Sequence, residues 1–191
     1  MERQDDEKTG IPNFITPIRI EIKRHNTNEV YFLESLQTEL SVEDLAVITQ
    51  ICNEETIYNR LFKKKLKNNP YTTNNAKQFG DWAKTGWETN KYFVFLIRDS
   101  NRQIVGVIDI KSANIESAQI GYWISQNHPG VMTNTLVSLC RMAEKAGFIA
   151  LEAQTKNDNI KSQGVLKRAG FYFQGEVNVE EATFFRFSKK L

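Results

Sequence analysis

Between Ala118 and Phe171 the chain sets out a strand, a Pro-Gly loop, a helix, a second strand and a short helix, an order that few folds accommodate. The strand ends in Gly121-Tyr122-Trp123-Ile124 and the loop turns at Pro129-Gly130. A helix is expected from about Met132, a strand over Phe148–Thr155, and a last short helix opened by Asn159-x-x-Ser162 and closed by Ala169-Gly170-Phe171. A glycine turn that brings a helix N-terminus beside a strand end suits a pyrophosphate group. The free N–H groups and the helix dipole both favour negative charge there.

The rest of the chain reads as one α+β domain. Ile18-Arg19-Ile20-Glu21-Ile22-Lys23 alternates apolar and polar residues, the pattern of a half-buried strand, and Asn26-Thr27-Asn28 turns it into Val30–Leu33 as a hairpin. Ser41-x-x-Asp44 opens a helix through about Asn53, and a second helical piece spans about Thr56–Leu66. Pro70 ends that piece, Thr72–Asn75 supplies the next N-cap, and a helix follows to Glu88. Tyr92–Ile97 and Ile104–Ile110 are strongly apolar strands joined by Asp99-Ser100-Asn101-Arg102, and Tyr172–Val177 with Ala182–Phe187 forms a final antiparallel pair. These elements give a mixed central sheet flanked by helices. Residues 1–13 are expected to be a disordered tail and 14–191 the domain.

Composition narrows the function classes. The 191 residues carry 25 basic and 23 acidic side chains, a net charge of +2, so no bulk attraction to nucleic acid is expected. The Lys63-Lys64-Lys65 run suits a solvated helix end better than a nucleic-acid patch. No apolar run approaches the ~20 residues of a membrane span. The charged start Met1–Lys8 lacks the apolar core of a signal peptide, so a cytoplasmic protein without membrane attachment is expected. Cys52 and Cys140 fall at helical apolar positions with no Cys-x-x-Cys spacing, which reads as two buried thiols and no metal site.

The order strand, loop, helix, strand, Asn-x-x-Ser, Gly-Phe resembles the acetyl-CoA-binding half of the GNAT superfamily of N-acetyltransferases. Gly121-Tyr-Trp-Ile, Gly130-Val-Met-Thr and Asn159-x-x-Ser162…Val165-Leu-Lys-x-x-Gly170-Phe are most similar to its branch that acetylates ribosomal-protein N-termini. The likeness runs from about residue 30 to the end. It implies a mostly antiparallel mixed sheet, splayed at the family's fourth strand, which Ala118–Ile124 matches. Coenzyme A would lay its extended arm in that gap as an added strand, meeting the backbone of Tyr122, Trp123 and Ile124. The co-substrate is acetyl-CoA, and the acceptor a primary amine on a protein N-terminus or a small molecule. A monomer or a homodimer is compatible with this fold.

By the same resemblance, Gly130, Val131, Met132, Thr133 and Asn134 supply the pyrophosphate site, with His128 able to donate to a phosphate or the adenosine ribose. The family pattern Arg/Gln-x-x-Gly-x-Gly/Ala is incomplete here. Its last glycine is Gly130, its first glycine has no counterpart, the run from Gly121 to Gly130 is short, and Pro129 removes an amide donor. Asn159 caps the last helix and, by resemblance, touches the pantetheine arm. Ser162, on the same helical face, protonates the departing thiolate. The amine also needs a base. The resemblance puts it on the last strands or the acceptor-facing helices, where Glu181 is the candidate by position beside Glu180, with Glu152 and Glu116 as alternatives. The shortened loop leaves a second reading open, a GNAT-like binding module that has lost acyl transfer.

Overall fold

Phe93–Arg98 (β3) and Ile104–Ile110 (β4) are buried on both faces, which is why they read as unbroken apolar runs, and the fold is built outward from this antiparallel pair. The computed structural model describes residues 10–179 and 182–191. Arg19–Lys23 (β1) and Val30–Ser35 (β2) form the expected hairpin, turned by Asn26 at φ 61°, and β2 continues onto β3. Ala118–Ile124 (β5) pairs antiparallel with β4 and, on its other side, parallel with Ala150–Lys156 (β6). Tyr172–Val179 (β7) and Ala182–Lys190 (β8) make the closing hairpin. It folds back so that β8 lies between β6 and β7, giving the order β1-β2-β3-β4-β5-β6-β8-β7.

Helices cover both faces of the sheet. Val42–Cys52 (α1) starts at Ser41, whose side chain accepts the Asp44 N–H at 3.1 Å. Glu55–Ile57 (α2) runs into a wide turn over Tyr58–Phe62, in which the Lys63 N–H reaches back to the Tyr58 carbonyl. One widened π turn of this kind re-aims the side chains it carries. It also ends the regular helix short of the expected Thr56–Leu66. Thr73–Glu88 (α3) begins at a reciprocal cap between Thr72 and Asn75. Met132–Lys145 (α4) stops at Ala146, with Gly147 following at φ 100°, and Ile160–Arg168 (α5) is capped by Asn159.

The alternation of β4 and β5 divides the core. Ile108, Ile110, Ile120 and Tyr122 turn toward α4 and α5, where Leu136, Leu139 and Leu151 are fully buried. Val107 and Trp123 turn the other way, toward α1 and α3, with Ile48, Ala76 and Ala83. Each such side chain stabilises the fold by roughly 1.5–3 kcal/mol through burial, and truncating Leu139 to alanine would cost about 2–5 kcal/mol. The N-terminal segment joins this core: Phe14 packs against Trp87, Phe93, Phe95 and Phe148. Of the expected tail, residues 1–9 lie outside the described residues. Within 10–13, Asn13 donates its N–H to Ala146 and Pro12 accepts from Asn90.

Candidate active site

β5 and β6 are hydrogen-bonded only from Ala118 to Ile120 and from Leu151 to Ala153. Beyond that point they part, so Gly121–Ile124 pairs with β4 alone and Gln154–Lys156 with β8 alone. The facing edges are two rows of backbone groups with no strand between them, the geometry that accepts an extended amide-bearing chain. The gap opens into a cavity of about 730 Å³. Its floor is β4 and β5, one wall is β6 with α5, and the other is the segment from Arg60 through Trp82. Of the aromatic residues of that segment, Phe62, Tyr71, Phe79 and Trp82 line the cavity. Trp87 instead packs in the core and donates its indole N–H to Val94.

Two hydroxyls meet in the gap. The Tyr122 phenol lies 2.7 Å from Ser162 Oγ, and Ser162 is held in the first turn of α5 because its N–H donates to the side-chain Oδ1 of the capping Asn159 at 3.3 Å. Burial pushes the Tyr122 phenol up to about 12, with the Ser162 hydrogen bond and Arg168 pulling the other way, so it holds its proton at neutral pH.

A carboxylate sits on the floor. Asp109 faces Gly121 across the β4–β5 ladder, and only a residue without Cβ fits opposite it. A Cβ on Gly121 would stand 2.7 Å from Lys111 Nζ and 2.9 Å from Asp109 Oδ1. Burial raises the Asp109 carboxyl above the usual carboxylate range, opposed by the Lys111 ammonium 3.2 Å away. Among the described residues, only two buried side-chain polar atoms lack a hydrogen-bond partner, Asp109 Oδ1 and Thr155 Oγ1, and both residues line this cavity. Buried polar groups are rarely left orphaned. Asp109 Oδ1 still has the Lys111 ammonium at 3.2 Å as an ion pair, so it is under-satisfied rather than orphaned.

Past the end of β5 the chain turns through Ser125–Val131 into α4. Glu54 anchors the near side of this loop, accepting the Ser125 hydroxyl at 2.5 Å and the Gln126 N–H at 2.8 Å. Gly130 takes φ 85°, a left-handed conformation, and no side chain caps the helix that follows. Arg168 of α5 reaches this end, donating from Nε to Thr133 Oγ1 at 3.3 Å. The Asn134 side chain donates to the Lys23 carbonyl at 2.7 Å. His128 is turned toward the β1–β2 hairpin, with Nδ1 3.0 Å from the Tyr31 hydroxyl, in a smaller cleft with Arg24, Glu29 and Asp99.

Residues 38–172, well over half of the chain, match the family model of the acetyltransferase (GNAT) domain. The chain belongs to the GNAT acetyltransferase family. As a GNAT acetyltransferase it is an acetyl-CoA-dependent enzyme, and its class of reaction moves an acetyl group to an amine. Solved structures of this fold include Mycobacterium smegmatis RimJ in complex with CoA-disulfide, at TM-score 0.71 and 17% identity over 95% of this chain and 88% of that one. The ribosomal-protein-S5-alanine acetyltransferase of Vibrio fischeri gives 0.69 and 18% over 91% and 96%. Microcin C7 self immunity acetyltransferase MccE, in complex with acetyl-CoA and AMP, gives 0.68 and 18% over 83% and 92%. No curated protein matches the sequence.

Within this GNAT acetyltransferase, Trp123, Asn159 and Ser162 line the main cleft, and Ile124 continues β5 beside it. His128 and Gly130–Asn134 lie past the end of β5 rather than along the cleft. Glu180 and Glu181 fall outside the described residues, and neither Glu116 nor Glu152 lines the cavity. Asp109 and the Tyr122 hydroxyl are the additions. The sequence carried a signal for the first, a single acid inside the apolar run Ile104–Ile110. Cys52 and Cys140 are free and buried thiols, which burial pushes up to about 12 and about 11, outside the range of reactive cysteines. No helix among the described residues is long and apolar enough to cross a membrane.

Proposed function

We propose that this enzyme acetylates a peptide or protein N-terminal amine by direct transfer in the β5–β6 gap. The observation that carries the reading is the convergence of the Tyr122–Ser162 pair, the buried Asp109 carboxyl and the open strand edges on one cavity. The cytoplasm is the compartment of this reading.

Each group has a defined task. The free edge of β5 at Trp123 and Ile124 orients the donor's amide-bearing arm, and its N–H groups polarise the thioester carbonyl. Gly130 and the uncapped amides of Val131–Asn134, with Arg168 beside Thr133, fit the pyrophosphate. Asp109 takes the proton that the attacking amine loses, for which a carboxyl raised by burial is better suited than an exposed one. As the C–S bond breaks, the Ser162 hydroxyl gives its proton to the sulfur and recovers one from the Tyr122 phenol, which is reprotonated from solvent after the products leave, as Asp109 gives up the amine's proton. Glu181 remains a second candidate base by position. These placed groups weigh against the binding-module alternative, for which catalytic side chains would be idle.

Calorimetric titration with acetyl-CoA, followed by a thiol-release assay with peptides bearing free or blocked N-termini, tests the proposal. Saturable binding and release only with free N-termini is expected. Absence of binding at millimolar acetyl-CoA overturns it.

A further inference from the structure

The charged lining of the cleft is lopsided. The whole chain is nearly balanced, yet among the described residues the cavity is lined by Arg60, Lys65, Lys111 and Lys156 and by a single carboxylate, Asp109. These cations are not the ones at the α4 terminus, where Arg168 reaches Thr133 and Arg24 stands beside Gly130. They belong to the other face of the sheet. Lys111 follows Val107 and Asp109 on the face of β4 that turns toward α3, and Lys156 lies opposite Phe184 at the free end of β6. Arg60 and Lys65 come from the wall across the gap.

We infer that the acceptor is an amine flanked by carboxylates, the N-terminus of a peptide with acidic residues close behind it. This rests on the acetyltransferase reading of the cleft and deepens it. An ammonium group is complementary to the Asp109 carboxylate on the floor, where it would join the Lys111 ammonium already 3.2 Å from Oδ1. Carboxylates further along the acceptor then face Lys65 and Lys156, which make no ion pair among the described residues, and Arg60. Arg60 already holds a carboxylate across the mouth: its Nη1 lies 2.8 Å from Asp158 Oδ1, joining the π turn to the loop before α5. The Asp158 side chain is 66% exposed, so an incoming acid can exchange with it at little cost. Phe79 and Trp82 leave apolar surface for the peptide between charges.

The test uses the full chain and three peptides with the same free N-terminal alanine, carrying Asp-Glu-Asp, Asn-Gln-Asn or Lys-Lys-Lys at the next three positions. Free aspartate and glutamate form a separate arm. Expected is a kcat/KM for the acidic peptide about tenfold or more above the neutral one, the gap shrinking with salt, since several weak screened pairs add up to such a factor. Lys65→Glu with Lys156→Glu should invert the preference, with acetyl-CoA affinity measured on the same samples as the check on folding. The N-acetylated peptides, which cannot be turned over, are titrated by tryptophan fluorescence and should show the same order of affinity.

Equal handling of all three peptides, or a preference that survives the double substitution, overturns the inference while leaving acetyl transfer standing. If no peptide is acetylated, the fluorescence order alone decides the inference, and the failure falls on the proposed reaction. Free aspartate turned over as well as the acidic peptide would overturn the peptide as acceptor and leave the small amino diacid.

Discussion

The Tyr122 phenol and the Ser162 hydroxyl lie 2.7 Å apart, although the two residues stand on separate elements and 40 positions apart in the chain. The contact exists because β5 and β6 part after Ile120 and Ala153, which lets α5 present its first turn to the open edge of β5. A serine alone at a helix start has no proton source once it has given its own away. In the proposed reaction the buried phenol beside it, its pKa pushed up to about 12, would supply one.

Tyr122→Phe should therefore keep the ring's packing and lose the proton relay. A fall in kcat of about a hundredfold is expected, within the usual range for a positioned general acid, with acetyl-CoA affinity changed less than about threefold. Ser162→Ala should lose a similar factor, and the double variant little more than either, because the two hydroxyls act as one chain. Steady-state kinetics on the three variants checks this, and multiplicative losses would separate the two groups.

Asp109→Asn bears on the base. Because burial holds the Asp109 carboxyl above its ordinary range, kcat/KM should rise with pH along a limb displaced upward from that of an exposed carboxylate, and Asp109→Asn should remove that limb. Stability moves the opposite way. A carboxyl whose folded pKa is raised contributes fully below its unfolded pKa, and that contribution is lost as pH rises through the folded one. Asp109→Asn should accordingly raise Tm at neutral pH, with the difference vanishing toward acid. Thermal melts at several pH values read this directly.

Much of this was written in the sequence, for reasons that differ by element. The strands and helices followed from periodicity and caps, as at Ser41, Thr72 and Asn159, where one side chain fixes one helix start. Local chemistry also placed the Gly130 turn and the strand ending at Ile124. The insertion of β8 between β6 and β7 is a tertiary pairing choice that no local pattern encodes. Asp109 eluded sequence reasoning because its meaning depends on Gly121 across the ladder, a register that appears only when the strands pair. The relation of Arg60 to Asp158 is of the same long-range kind.

Gly121→Ala tests that register. The Lys111 side chain, 44% exposed, can swing aside from the new methyl group, but the buried Asp109 Oδ1, 2.9 Å from it, must shift as well, so a stability loss of about 1–3 kcal/mol is expected. Asp109 then loses the ammonium that lowers its carboxyl, and its pKa climbs further. The acid limb of kcat/KM should move to higher pH, with activity on the limb falling about three- to tenfold. A limb that stays in place would separate Lys111 from the titration of Asp109.

Gly130→Ala addresses the shortened loop. At φ 85° an L-residue is strained by roughly 1–2 kcal/mol, while the nearest atoms, on Arg24, are 3.7 Å from the added methyl and leave room for it. The cost is thus in the backbone alone, and relieving it turns the amides of Val131–Asn134 away from their common direction. Acetyl-CoA affinity should fall about tenfold together with a modest loss of Tm. Gly147→Ala is the matched control: it has φ 100° and open space around its methyl position, but lies at the far end of α4. Its Tm should drop by a similar amount with acetyl-CoA affinity unchanged. Equal loss of affinity in both variants would trace the effect to general stability, and loss in Gly130→Ala alone places the pyrophosphate at the N-terminus of α4.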